Sequence, residues 1–212
     1  MSGVQVLAKR PSARELILDA ALRIVREQGY SATSVDDLCR AAGVTKGAFF
    51  HHFKSKEDLA VMAAKHWTQT TEAKFARASY HQHADALDRV MAYLEFRRGL
   101  IRGEAATFSC YAGTVVQETF QSNPVLRDAC FDCVEAHAHT LEPDLAEAIA
   151  TYGTVVPTTA DSLALYIQAV LQGAFILAKA KNDRQIAIDS IDHLRQYFSM
   201  LFNTPSREEI PS

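Results

Sequence analysis

SVDDLCRAAGVTKGAFFHHFKSKEDL, residues 34–59, holds two short helical patterns around a glycine and runs straight into a third. Ser34 is placed to cap the first, with Asp37 three residues on as the return partner of a capping box, and Leu38 and Ala41 supply its apolar side. Gly43 breaks that pattern. Thr45, again suited to an N-cap, opens a second helix through Lys46, Gly47, Ala48, Phe49 and Phe50 to about Phe53. Two helices of this length around a glycine turn make a helix-turn-helix, whose second helix can lie in the DNA major groove.

The surrounding chain accommodates such a unit. It has 212 residues, 48% hydrophobic and 22% charged, enough for one large domain or two small ones with a sizeable core. The net charge of −3 argues against a nucleic-acid partner until it is divided along the chain. Residues 1–66 carry ten Lys plus Arg against seven Asp plus Glu, a balance of +3; residues 67–212 carry twelve against eighteen, a balance of −6. A small basic module joined to a larger acidic one fits local DNA contact. No apolar run approaches the ~20 residues that span a bilayer, and the N-terminus lacks a signal-peptide core, so a cytoplasmic location without membrane contact is expected. Four cysteines point to free thiols in a reducing compartment.

Residues 1–11 read as a flexible arm. Ser12 and Glu15 then form a capping box for a first long helix, with Leu16, Ile17, Ala20, Ala21, Ile24 and Val25 as its stripe and Gly29 as its stop. Val35, Leu38, Val44, Phe49 and Phe53 pack the next two helices onto it, and Tyr30 reads as a packing residue. Ser55 caps a helix that should reach about Tyr80. Beyond Asp85 helical patterns continue: one ending near Arg102-Gly103, one from about Ala105 to Thr119, one begun by Asn123-Pro124, and one with Pro143 in its first turn. The segment 151–159 reads as a loop, followed by helices over 161–181 and 185–202 and a disordered tail over 203–212. The last two helices are apolar on more than one face, which calls for a second burial surface, met by a homodimer whose paired helices form a four-helix bundle.

The segment TSVDDLCRAAGVTKGAFFHHFKSKEDL resembles the signature of the tetracycline-repressor (TetR) family of bacterial transcription regulators, strongly over residues 12–66 and only in architecture beyond them. The resemblance implies an all-α chain: a three-helix helix-turn-helix DNA-binding domain over 12–66, then a helical ligand-binding and dimerisation domain over 67–202. It implies a homodimer that leaves a palindromic double-stranded DNA operator when a small-molecule effector binds. Thr45, Lys46 and Gly47 would start the recognition helix, with His51, His52 and Lys54 following in the DNA-binding set, and Lys56 would contact a phosphate from the next helix N-terminus. Phe50 departs from the family's Tyr, which removes a hydroxyl contact to the DNA backbone and leaves His51 as the neighbouring donor.

An effector pocket should be mostly apolar with few polar anchors; Phe108, Cys110, Tyr111, Phe131, Tyr166 and Phe175 are the candidates. Cys130, Cys133 and His137 share one helical face at i, i+3 and i+7. A metal site or a redox pair would use that spacing, but Leu126, Val134 and Leu141 extend the same stripe, so packing is the preferred reading and no metal or cofactor is assigned. Oxidation or electrophile attack at Cys110, Cys130 or Cys133 remains a second route to regulation. No catalytic motif is present, and an all-helical enzyme or binding module that retains the N-terminal fold is the third reading.

Overall fold

The computed structural model describes residues 10–203, and among them are eleven α-helices and one 3-10 turn. Most of the expected arm over 1–11 and tail over 203–212 lies outside the described residues. The first four helices start on the polar residues that the sequence singles out. In α1 (Ala13–Gln28) the Ser12 and Glu15 N–H groups are each accepted by the other's side chain; in α2 (Val35–Ala42) Ser34 and Asp37 do the same. Gly43 closes α2 in the left-handed region, φ 67°, ψ 33°, where a Cβ would be strained. Thr45 Oγ1 accepts the Ala48 N–H at the head of α3 (Lys46–His52), and Ser55 Oγ the Asp58 N–H at the head of α4 (Lys56–Phe75).

Ile17, Leu18, Leu38, Phe49, Phe53 and Leu59 are buried together beneath these helices, each with 1% exposure or less. This core does not stop at the helix-turn-helix. It continues through Tyr111, Ala112 and Val115 of α7 (Tyr111–Thr119) and Leu126, Cys130 and Cys133 of α8 (Pro124–His139). Residue 66 lies inside α4, which passes from one part of the molecule into the other without a break. A second core joins α5 (Ala86–Gly99), α9 (Glu142–Tyr152), α10 (Ala160–Lys181) and α11 (Gln185–Leu201) around Tyr93, Leu145, Ile167, Ile191 and Phe198.

Four boundaries differ from the periodicity. α4 ends at Phe75, not near Tyr80, because the chain turns through Ser79–Gln82 to bury Tyr80 edge-on against Tyr93, ring centroids 5.5 Å apart. α5 ends at Gly99, before Arg102. The expected helix over 105–119 is broken into α6 (Ala105–Phe108) and α7, with Cys110 Sγ accepting the Gly113 N–H at 3.4 Å as the cap of the second piece. α9 runs through Tyr152, so the loop is confined to 153–159.

α10 also corrects the expectation about apolar runs. It is 22 residues long with a mean hydropathy of 1.5 over its most apolar window, enough by length and composition to cross a bilayer. Its inward face, including Leu163, Ile167, Leu171, Ala174 and Ala178, is buried against α8, α9 and α11 as the central helix of this core. The opposite face is open and apolar: Tyr166, Ile176 and Leu177 are 42%, 45% and 57% exposed, and nothing lies within 4 Å of where a Cβ on Gly173 would stand.

Candidate nucleic-acid interface and ligand cavity

α3 presents its polar side outward. Thr45, Lys46, Gly47, Phe50 and His51 are exposed, and so is Lys54; His52 is half-buried, its ring 4.8 Å from that of His51. Phe50 is 56% exposed although it stands edge-on to the buried Phe49, an apolar ring left on a polar surface. Lys46 Nζ lies 2.8 Å from Asp36 Oδ1, with both side chains more than half exposed. Such a pair is held weakly in water, so the lysine is free to exchange the carboxylate for a phosphate.

Lys56 is not placed as expected. Its ammonium donates to the carbonyls of Tyr30 (3.2 Å) and Thr33 (3.1 Å) and sits 4.3 Å from the centre of the Tyr30 ring. Glu57 and Asp58 occupy the first turn of α4, so this helix N-terminus already carries negative charge. Lys56 therefore fastens the α1–α2 turn beneath the surface. Lys56→Met should lower stability by about 1–2 kcal/mol in urea unfolding, as expected for a charged group bonded to two carbonyls, and leave the salt dependence of DNA binding unchanged. Lys46→Ala should do the reverse, weakening DNA binding in a gel-shift titration with a salt slope smaller by about one.

Between the helix-turn-helix and the second core lies a cavity of about 120 Å³. Its apolar wall is built by Trp67 and Phe75 of α4, Leu100, Ile101, Phe108 and Phe175; its polar wall includes Arg97, His137 and Gln168. Of the six residues proposed for a pocket, Phe108, Cys110 and Phe175 line this cavity. The other three do not. Tyr111 is fully buried in the first core, its hydroxyl 3.4 Å from the Ala60 carbonyl. Phe131 points to solvent at 52% exposure, and Tyr166 lies on the outer face of α10, its ring centroid 5.2 Å from that of Tyr197.

The buried face of α8 packs into the first core through Leu126, Cys130 and Cys133. Among the described residues the one group of ligand-type side chains within mutual reach is His139, Glu142 and Asp161, on the surface, and Cys130, Cys133 and His137 do not form another. Burial pushes both thiols up to about 12, with Cys110 adding to each and a hydrogen bond with Thr68 only partly offsetting it at Cys133, so Cys130 and Cys133 are protonated and poor nucleophiles at neutral pH. His137 Nε2 is 3.0 Å from the Tyr93 hydroxyl. Burial foremost, and the Arg97 charge after it, depress the imidazole to about 3, so it is neutral.

Two contacts that the sequence did not reveal join the helix-turn-helix to α6 and α7, the first of them at the cavity wall. From α1, Arg26 Nη1 donates to the carbonyls of Thr107 (3.1 Å) in α6 and Ser109 (3.4 Å), its C-cap at the α6–α7 break, while its guanidinium lies 4.8 Å from the Trp67 ring. From α7, the Glu118 carboxylate accepts the N–H groups of Tyr30 (2.8 Å) and Ser31 (2.7 Å) in the α1–α2 turn. Partial burial raises this carboxyl, but the bonds from Ser31 and Tyr30 outweigh it and hold the group below its usual value. Gly29, at φ 92°, makes room for the approach: a Cβ there would meet Glu118 Oε1 at 2.8 Å. The only signals in the sequence were a charged residue at the end of an apolar helix and an arginine one turn from a glycine stop.

Comparisons with known proteins agree with this architecture in both halves. Residues 17–62 match the description "Bacterial regulatory proteins, tetR family", and residues 86–189 match "Transcriptional regulator LmrA/YxaF-like, C-terminal domain". The chain is similar to the HTH-type transcriptional regulator LmrA of Bacillus subtilis, 25% identical over 179 residues covering 80% of this chain and 88% of that one. It is also similar to the HTH-type transcriptional repressor DhaR of a Mycobacterium species, 23% identical over 203 residues covering 95% and 97%. A solved TetR transcriptional regulator from Chloroflexus aurantiacus superposes with a TM-score of 0.75 at 26% identity, over 89% of this chain and 95% of that one. With both of its halves matched and its helical architecture shared, the chain belongs to the TetR family of transcriptional regulators.

Proposed function

We propose that the protein is a ligand-responsive repressor that binds a palindromic operator as a homodimer and releases it when a small molecule occupies the cavity between α4, α5, α8 and α10. The observation that carries this reading is the sharing of walls: α4 enters both cores, and Arg26 of the DNA-reading half is bonded to the segment that closes the cavity. A ligand that favours one position of that segment would bias the spacing of the two recognition helices, which must match half-sites about one DNA turn, ~34 Å, apart. Thr45, Lys46, Gly47, His51, His52 and Lys54 are the proposed contacts on DNA. Phe50 joins them as an apolar surface suited to a thymine methyl in place of a hydroxyl–phosphate bond. Repression, as distinct from activation, takes support from the similarity to DhaR.

The open apolar face of α10 is the proposed dimer surface, with small Ala169 and Gly173 between Tyr166 and Leu177 allowing close approach. Selection from random DNA should yield an inverted repeat. Leu177→Glu should give a folded monomer in sedimentation that no longer binds the selected site at concentrations where the parent is saturated. Failure to select any sequence with well-folded protein would remove the regulatory reading and leave a helical binding module. A thiol route is kept for Cys110 alone, which is half-exposed on the cavity wall with the cationic Arg26 and Lys179 as neighbours. Operator release on peroxide treatment that persists in Cys110→Ser would exclude it.

A further inference from the structure

Arg97 differs from the other arginines around it. Arg89 of the same helix pairs with Asp144 at 2.8 Å and Glu147 at 2.6 Å; Arg98, the next residue, pairs with Asp192 at 2.8 Å; Arg195 pairs with Glu95 at 2.9 Å. Arg97 is half-buried in the cavity wall, its guanidinium 5.4 Å from the ring centre of Phe75 and 5.9 Å from that of Phe175, and among the described residues no carboxylate lies within 4 Å of it. The other charged groups lining the cavity, Glu72 and Lys74, are exposed. A guanidinium partly withdrawn from water between two rings, without an anion, is costly to keep unless something supplies one.

Its neighbours in the wall have the same deficit. Tyr93 is fully buried and its hydroxyl meets His137 Nε2. A phenol is the stronger acid of that pair and donates to the imidazole lone pair, which leaves the proton of the neutral ring on Nδ1. His137 Nδ1 and Gln168 Nε2 are both buried without a hydrogen bond of normal geometry, the Gln168 amide lying close to the Tyr93 hydroxyl. The groups left unsatisfied in this wall are thus N–H donors, and they want acceptor oxygens. The rest of the wall is aromatic, with Trp67, Phe75, Phe108 and Phe175, and about 120 Å³ is close to the ~150 Å³ of an apolar cavity that holds one benzene ring.

We propose that the effector is a small aromatic monocarboxylate, its ring among these four aromatic side chains and its carboxylate on Arg97, with Gln168 and His137 as further donors at that end. This rests on the reading of the cavity as the effector site. It names an anion where an apolar pocket alone would suit any neutral hydrophobe.

Trp67 is the chain's single tryptophan and stands in the cavity wall, so its fluorescence reports occupancy directly. Titrating the full chain with phenylpropionate and with phenylpropionamide should show the acid binding about ten- to a hundredfold more tightly, the range expected for charge-assisted hydrogen bonds. Arg97→Met and Arg97→Gln, each checked for an unchanged melting curve, should bring the acid down to the affinity of the amide and leave the amide where it was. Equal affinities for acid and amide in the parent, or an acid affinity that survives both substitutions, would overturn the anion proposal while leaving the cavity reading intact. If neither probe nor a panel of neutral single-ring aromatics changes Trp67 emission or protects the protein against urea, the cavity reading fails, and this proposal with it.

Discussion

Replacing Arg26 with alanine should cost about 2–4 kcal/mol of stability and leave operator binding nearly indifferent to what occupies the cavity. The side chain is half-buried and makes three hydrogen bonds at a junction: Nε on the Leu22 carbonyl at 2.7 Å and Nη1 on Thr107 and Ser109, with the guanidinium against Trp67. Hydrogen bonds from a charged donor contribute about 1.5–3 kcal/mol and a cation–π contact about 0.5–2 kcal/mol, and partial exposure trims the sum. Burial lowers the arginine from its ordinary value, and a guanidinium keeps its charge in proteins. The functional part follows from where the bonds go. Thr107 and Phe108 belong to the cavity wall, and Arg26 is in the helix against which α2 and α3 pack, so truncation removes a direct link between ligand and recognition helix. Urea unfolding measures the first half; gel shifts with and without a ligand chosen by Trp67 fluorescence in the parent measure the second. Arg26→Lys keeps the charge but not the fork, and should recover only part of either. A stability loss below about 1 kcal/mol together with an undiminished ligand response would mean that coupling runs elsewhere, with Glu118 the next place to look.

The helix-turn-helix was legible because its signals are local. Each of α1 to α4 begins on a Ser or Thr whose side chain caps a backbone N–H three residues on, and Gly43 supplies the one left-handed residue that the turn needs. The cavity was not, because its wall gathers residues from positions 67 to 175 and no short spacing encodes their meeting. Phe131 shows what periodicity could still have said: it lies one residue beyond Cys130, about 100° round the helix from the buried stripe, so the spacing itself turned it outward. Tyr166 is likewise off the stripe of Leu163, Ile167, Leu171 and Ala174. The α6–α7 break carries no glycine or proline at all. It is made by a cysteine cap and an arginine from a helix some eighty residues earlier, and both act only in the folded chain. Lys56 was misplaced for a similar reason: the carbonyls that hold it belong to a turn more than twenty residues away.

Between pH 6.5 and about 3 the protein should lose about 4–5 kcal/mol of stability through His137 alone, on a scale where one pKa unit is about 1.4 kcal/mol. The imidazole is buried against the Phe75 ring, centroids 4.5 Å apart, and bonded to Tyr93, with Arg97 as the nearby charge. In the unfolded chain it takes up a proton near 6.5; in the folded protein it does so only near 3. Within that window the unfolded state binds more protons, so stability falls as pH falls. Above it both states are neutral and the contribution is flat. Acid unfolding of the parent will also include carboxylates such as Asp37, Asp85 and Glu118, whose lowered values act in the same direction at lower pH. The comparison with His137→Gln separates them, because those groups are common to both proteins. At pH 7.5 the variant should be the less stable, having lost a ring from the core. By pH 5 the parent should have given up about 2 kcal/mol that the variant keeps, and the gap should close by that amount. Parallel pH profiles would show that His137 is not held neutral by the fold. Without a neutral imidazole bonded to Tyr93, Nδ1 would no longer stand as an unmet donor in the cavity wall, so the same urea titrations also test one of the three donors assigned to the carboxylate.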